Sequence, residues 1–169
     1  MKKIIYALLT VLVFTSCEQQ KIAFIDNGEL INNYQAKIDI EEKFKLKDEA
    51  FKKNTDSLAN AFQVEAKAFE MAAGKMAQKK AEEKYQELIQ KQQGLQRQIQ
   101  MQQQVMQNEF QTEIDSVLVK VKDFVADYGK KHGYTYILGK NEAGSVLYGS
   151  EANDITEPVT EALNASYKK

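Results

Sequence analysis

Few side chains in this sequence could do acid–base, metal or nucleophilic chemistry, and their spacing suits none of it. His132 is the sole histidine and lies between Lys131 and Gly133, with no cysteine near it. A general base needs a partner that orients it, and a metal needs further ligands at set spacing. His132 therefore reads as a helix-end residue. Asp115, Asp123 and Asp127 supply carboxylates, but not at the alternating positions of a calcium loop, and read as a solvated helix face. Gly133 to Gly139-Lys140-Asn141 has the outline of a phosphate-binding loop, yet it is one residue too long and puts Asn141 where a hydroxyl would hold magnesium. No serine triad, carboxylate pair or redox cysteine pair can be assembled. The expectation is a protein that is not an enzyme and takes no nucleotide, metal or cofactor.

The one remaining reactive group is Cys17, the only cysteine. Lys2-Lys3 and then the apolar run Ile4 to Phe14 have the layout of a secretory signal. That run is too short for a bilayer core about 30 Å thick, which takes about 20 helical residues. Phe14-Thr15-Ser16-Cys17 resembles the bacterial lipobox, with Phe14 where leucine is more usual. A lone thiol in an oxidising compartment has no partner within its chain, and lipid attachment at Cys17 accounts for it. Ordinary cleavage leaving a free thiol is the alternative. Residues 1–16 are thus expected to be a lipoprotein signal peptide and 17–21 a tether. The mature chain would be a periplasmic lipoprotein of the bacterial envelope, anchored to the inner or the outer membrane.

Charge narrows the partners. Lys and Arg number 23 against 24 Asp and Glu, and Arg97 is the only arginine. Loss of Lys2 and Lys3 with the signal leaves the mature chain mildly acidic. Nucleic acid is not an expected partner, because phosphate neutralisation needs a clustered basic face.

The elements that must position any site are mostly helical. One proline, no tryptophan and a centre rich in Ala, Glu, Lys and Gln favour long helices. Ile22-Ala23-Phe24-Ile25 reads as a buried strand, and Asp26 with Glu29 three residues on as a helix start. The helical pattern sets in near Gln35. Phe44, Phe51 and Leu58 are spaced by seven; after a shift of four to Phe62, sevens resume at Phe69 and Met76. Acid-before-base pairs at Glu41/Lys45, Asp48/Lys52 and Glu49/Lys53 fit a solvated face. Gly74 is the expected hairpin tip, an unbroken helix being the alternative. Beyond it the period changes: Leu95, Met106, Val117 and Tyr128 are spaced by eleven, as are Ile99, Phe110 and Val121. Residues 86–111 are rich in glutamine, which reads as solvated helix surface, an aggregation-prone polar tract being the alternative. Two arms on different repeats should pair loosely, and Gly94 and the methionines Met71, Met76, Met101 and Met106 add compliance.

Gly129 and Gly133 should end the long helix, followed by a strand at Tyr134–Leu138, a turn at Asn141-Glu142-Ala143-Gly144 and a strand at Val146–Tyr148. A helix from about Thr156 carries Pro158 in its first turn, where a missing N–H is harmless. The fold class is mainly α with a small β body: one domain over 22–165, its body at 22–34 and 134–165, its antiparallel coiled-coil hairpin at 35–133 with the tip near 74. Two thin helices cannot wrap a thick core, which favours an oligomer.

These residues resemble a known family. Lys21-Ile-Ala-Phe-Ile-Asp26 with Leu30 and Asn33-Tyr34 is similar to the opening of the Skp/OmpH family of periplasmic chaperones. Lys131-His-Gly-Tyr134, Ile137-Leu138, Gly144-Ser-Val-Leu-Tyr148, Asp154-Ile-Thr156, Val159 and Leu163-Asn164 follow in the family's order. The resemblance implies a homotrimer whose hairpins project as tentacles around a cavity, holding unfolded outer-membrane proteins without ATP. It implies a trimer body built by Ile22, Phe24, Ile137, Val146 and Tyr148, and arm residues that touch the client. Toward the tip these would include Phe69, Lys75, Met76, Lys79 and Lys80. Well-known members are soluble and basic, whereas here Glu70, Glu82 and Glu83 dilute the lysines near the tip, so electrostatic capture should be weaker. The alternative function is a structural coiled-coil lipoprotein that spaces or organises the envelope.

Overall fold

The computed structural model describes residues 20–142 and 144–167. The signal segment 1–16 and Cys17 lie outside the described residues. The chain divides into two compact units, one joining the segment up to Asn33 with the segment from Val121 onward, the other spanning Tyr34–Lys120.

The first unit begins with strand β1 (Ile22–Asp26), where β-branched and aromatic residues favour an extended chain. Asp26 then caps helix α1 (Asn27–Asn32): its Oδ1 accepts the Glu29 amide at 3.0 Å. Strand β2 (Tyr136–Lys140) pairs with β1 in parallel, Ile22 opposite Tyr136 and Asp26 opposite Lys140. On the other edge of β1, Phe24 bridges Asp154, and the Ile155 amide donates to the Phe24 carbonyl at 3.0 Å. A 3-10 turn (Glu151–Asn153) leads there, and helix α4 (Thr156–Ser166) follows. Leu30, Val159 and Leu163 are the most deeply enclosed side chains, joined in the core by Ala23, Phe24, Ile25 and Ile155.

Two expected strands change. The second strand begins at Tyr136, not Tyr134, because the Tyr134 amide caps the C-terminus of the preceding helix. Gly133 adopts a left-handed φ of 69°, and the Tyr134 amide returns to the Gly129 carbonyl at 2.9 Å; a side chain at that φ would be strained. Val146–Tyr148 forms no strand. A strand there needs a partner edge, and the free edge of β1 is taken by Asp154 and Ile155 instead.

In the second unit, α2 (Gln35–Ala73) and the first part of α3 (Gln78–Lys131) pair antiparallel. At 1.5 Å per residue these helices are roughly 58 and 80 Å long. Gly74 to Ala77 turn between them, with the Lys75 and Met76 amides reaching back to Ala72 and Ala73. A long helical hairpin and a small sheet are the architecture implied by the sequence. Within the hairpin the seam is thin. Phe44, Leu88 and Val117 are buried, while Phe51, Leu58, Phe62, Phe69, Leu95, Ile99, Met106 and Phe110 are half-buried.

Candidate functional site

No group of His, Cys, Asp or Glu that could hold a metal ion gathers among the described residues; the surfaces that stand out are apolar. In the second unit Phe44 meets Phe110 edge to face, ring centroids 5.2 Å apart at 73°, a geometry worth about 0.5–1.5 kcal/mol beyond area burial. Beside them opens a groove of about 480 Å³, floored by Phe44, Met106 and Phe110 and rimmed by Glu41, Lys45, Asp48 and Gln107. Met71, Met101 and Val64 stand out from the arms, 78%, 67% and 69% exposed.

Ion pairs bridge the two arms. Lys43 Nζ lies 2.5 Å from Glu113, and Lys47 Nζ 2.6 Å from Glu109. Both ammonium groups also lean over the Phe44 ring, 5.3 and 4.8 Å from its centroid. Nearer the turn, Glu65 bonds Lys91 and also Lys84, the latter at 3.0 Å. Hydrogen bonds from Lys91, then Lys84, hold the Glu65 carboxyl below its ordinary range. Lys47 does the same to Glu109, and the Lys84 ammonium is raised chiefly by its bond to Glu65. Of the local pairs expected on α2, Glu41 bonds Lys37 at 2.6 Å and not Lys45. Asp48/Lys52 and Glu49/Lys53 are not among the ion pairs of the described residues.

In the first unit Lys21 is fastened. Lys21 Nζ donates to the His132 carbonyl at 3.0 Å and lies 4.0 Å over the Tyr134 ring. Tyr128 stacks on His132, centroids 4.1 Å apart. This settles the sole histidine in an aromatic stack at a helix end. The phosphate-loop outline dissolves too, since Tyr136–Lys140 is strand. Ile22, Tyr136 and Leu138 are exposed on the sheet, and Leu147 and Tyr148 are 92% and 90% exposed in the loop beyond it.

A family model for the outer membrane protein (OmpH-like) matches residues 21–163. The chain belongs to the OmpH-like family. No curated protein matches this sequence. Among solved structures, a crystal structure from Caulobacter crescentus CB15, described as an OmpH-like outer membrane chaperone, superposes with a TM-score of 0.80. It is 19% identical, and the match covers 89% of this chain and 87% of that one. That likeness shows the fold; the family carries a general periplasmic chaperone role for this OmpH-like chain.

The residues singled out from the sequence fall in different settings. Phe24 is buried in the sheet, and its neighbour Ala23 pairs with the half-buried Ile137. Val146 is half-buried and Tyr148 fully outside, both in a loop. Near the turn Phe69 and Met76 are half-buried, while Lys75, Lys79 and Lys80 are exposed. The cross-arm pairs made by Lys43, Lys47 and Glu65 were missed, because pairing between distant segments has no local spacing. The groove at Phe44, Met106 and Phe110 was half visible, as seam positions on both repeats.

Proposed function

We propose that the protein is an ATP-independent holdase that shields unfolded outer-membrane proteins inside a cavity formed by the hairpins of a homotrimer, held to a membrane by lipid on Cys17. The observation that carries this reading is the half-buried seam of the hairpin, open at the Phe44–Met106–Phe110 groove and flanked by outward methionines. A client held but not trapped needs many weak, adaptable apolar contacts, and flexible thioethers provide them. A rod serving only as a spacer gains nothing from such exposure. The exposed apolar side chains Ile22, Leu138, Leu147 and Tyr148 support a body that buries them against further copies.

The chain lacking residues 1–17, at a stoichiometric amount of trimer, should slow aggregation of a β-barrel protein diluted from urea. No slowing would defeat the chaperone reading. The same sample should sediment as a trimer, and a monomer at micromolar concentration would defeat that part. Ile22→Asp with Tyr148→Asp should dissociate it. Cys17→Ser should abolish acyl labelling and membrane association; persistent association would remove the anchor.

A further inference from the structure

Gln92, Gln96, Gln100, Gln103, Gln107 and Gln111 form three pairs spaced by eleven residues. This is the repeat of the α3 seam itself, so the strip runs beside the seam without drifting into it. With eleven residues in three turns, the strip lies about 80° to one side of the seam. Lys91, Glu109 and Glu113, which latch α3 to α2, lie roughly 60° to the other side. The contacts agree. Gln107 borders the Phe44–Met106–Phe110 groove together with Glu41, Lys45 and Asp48, whereas the Lys43 and Lys47 pairs cross from the opposite flank. Of the cross-arm ion pairs of the described residues, Lys84–Glu65 lies on the seam line, eleven residues before Leu95, and the other three close one flank of the hairpin, leaving the opposite flank unlatched. All six glutamines are exposed. Among the described residues only Gln111 of the six spends its side chain on a hydrogen bond, to Asp115 at 2.8 Å.

We infer that this unlatched flank is a docking track for one extended, uncharged segment of an unfolded β-barrel client, whose backbone is held by the glutamine amides while alternate apolar side chains seat along the seam and its groove. The inference rests on the chaperone reading above and names the surface that performs it. Three features fit this occupant. From Gln92 to Gln111 the strip is about 29 Å long, and a membrane-spanning strand of about 9–11 residues extends over roughly 30–36 Å at 3.3 Å per residue. Such strands alternate apolar and polar side chains, which matches an apolar seam lying next to a polar strip. A carboxamide offers both a donor and an acceptor to a peptide group and carries no charge. It can thus hold any backbone without selecting for sequence or demanding a counter-charge.

The test places a photo-crosslinking residue at Gln100, on the strip, or at Gln98, the same residue type on the latched flank. The full chain, diluted below the detergent's micelle-forming concentration, is challenged with a urea-unfolded outer-membrane β-barrel protein. Crosslinking to the client should be several-fold greater from Gln100. Equal yields, a preference for Gln98, or crosslinks from Gln100 mainly to a second copy of this chain would overturn the track. In parallel, Gln96→Glu, Gln100→Glu, Gln103→Glu and Gln107→Glu combined should hold client about tenfold more weakly, since charge on a track that must shed water is costly, with helicity unchanged. Retention equal to the parent would overturn the inference while leaving the chaperone reading intact. If the parent chain itself neither crosslinks nor delays aggregation, the chaperone reading falls and the track with it.

Discussion

The two units solve the same problem in opposite ways. The first encloses a few side chains completely: Leu30 and Val159 have no exposure, and Leu163 has 2%. It then fixes its strands and loops with specific bonds. The Asp26 amide donates to Thr156 Oγ1 at 2.8 Å, and Thr156 in turn donates to Asp154 through both its amide, at 2.9 Å, and its hydroxyl. The hairpin spreads its apolar residues along a seam in which most are only half covered. A unit of the first kind holds one geometry because moving any part uncovers core. The second kind can shift locally at small cost, since little is fully buried to lose. Shape is concentrated in the first unit and adaptability in the second.

Deep truncations should separate the two most sharply. Leu163→Ala should cost about 2–5 kcal/mol through lost burial and a cavity, whereas Val64→Ala on the hairpin surface should stay within about 0.5 kcal/mol; urea unfolding of each variant measures the gap. Equal effects would erase the contrast. Next comes Gly149→Ala. A Cβ at Gly149 would run into the Phe24 ring, so overpacking of about 1–3 kcal/mol is expected, against almost none for Gly94→Ala, whose Cβ would meet open space. Thr156→Val keeps the volume but leaves the Asp26 amide without its acceptor, and should cost about 1–3 kcal/mol, read by thermal unfolding.

The smallest effect is electrostatic and belongs to the hairpin. Glu65 and Glu109 have folded-state pKa values below the ordinary 4.5. Their contribution is present above that value and is lost as pH falls through the depressed folded values. Lys84 is shifted upward from 10.5, so its contribution holds below that value and fades as pH rises through the raised one. The hairpin should therefore be firmest across the neutral range and loosen first in acid. These groups face solvent, so salt should flatten the profile. Hydrogen exchange of arm amides against pH, with Glu65→Gln as the comparison, tests the sign.

How much was legible follows from the range of each interaction. The seam was readable because a helix converts spacing directly into a face: Phe44, Val117 and Val121 are buried, and Leu95, Met106 and Phe110 line the same stripe. The Asp26 cap was readable because its bond spans three residues. Lys43 with Glu113 was not, since nothing local sets the register of one arm on another. Leu147 and Tyr148 misled because apolar residues after a turn look the same whether or not an edge awaits them. Their exposure, and that of Ile22 and Leu138, was equally hidden, as a sequence states hydrophobicity but not which neighbour covers it.

The parallel pairing of Ile22–Asp26 with Tyr136–Lys140 has a consequence in time. These strands are separated by the whole hairpin, so their contact is among the most non-local in the chain, and such contacts form slowly. As the chain is made from its N-terminus, β1 must wait unpaired until the last quarter of the chain arrives. The helices need only local bonds and can form meanwhile. Once the arms zip together, the loop separating the strands is effectively shortened and its closure entropy falls. The hairpin thus aids the pairing of β1 with β2, and substitutions that weaken the seam should slow assembly of the sheet even where they leave its final stability untouched.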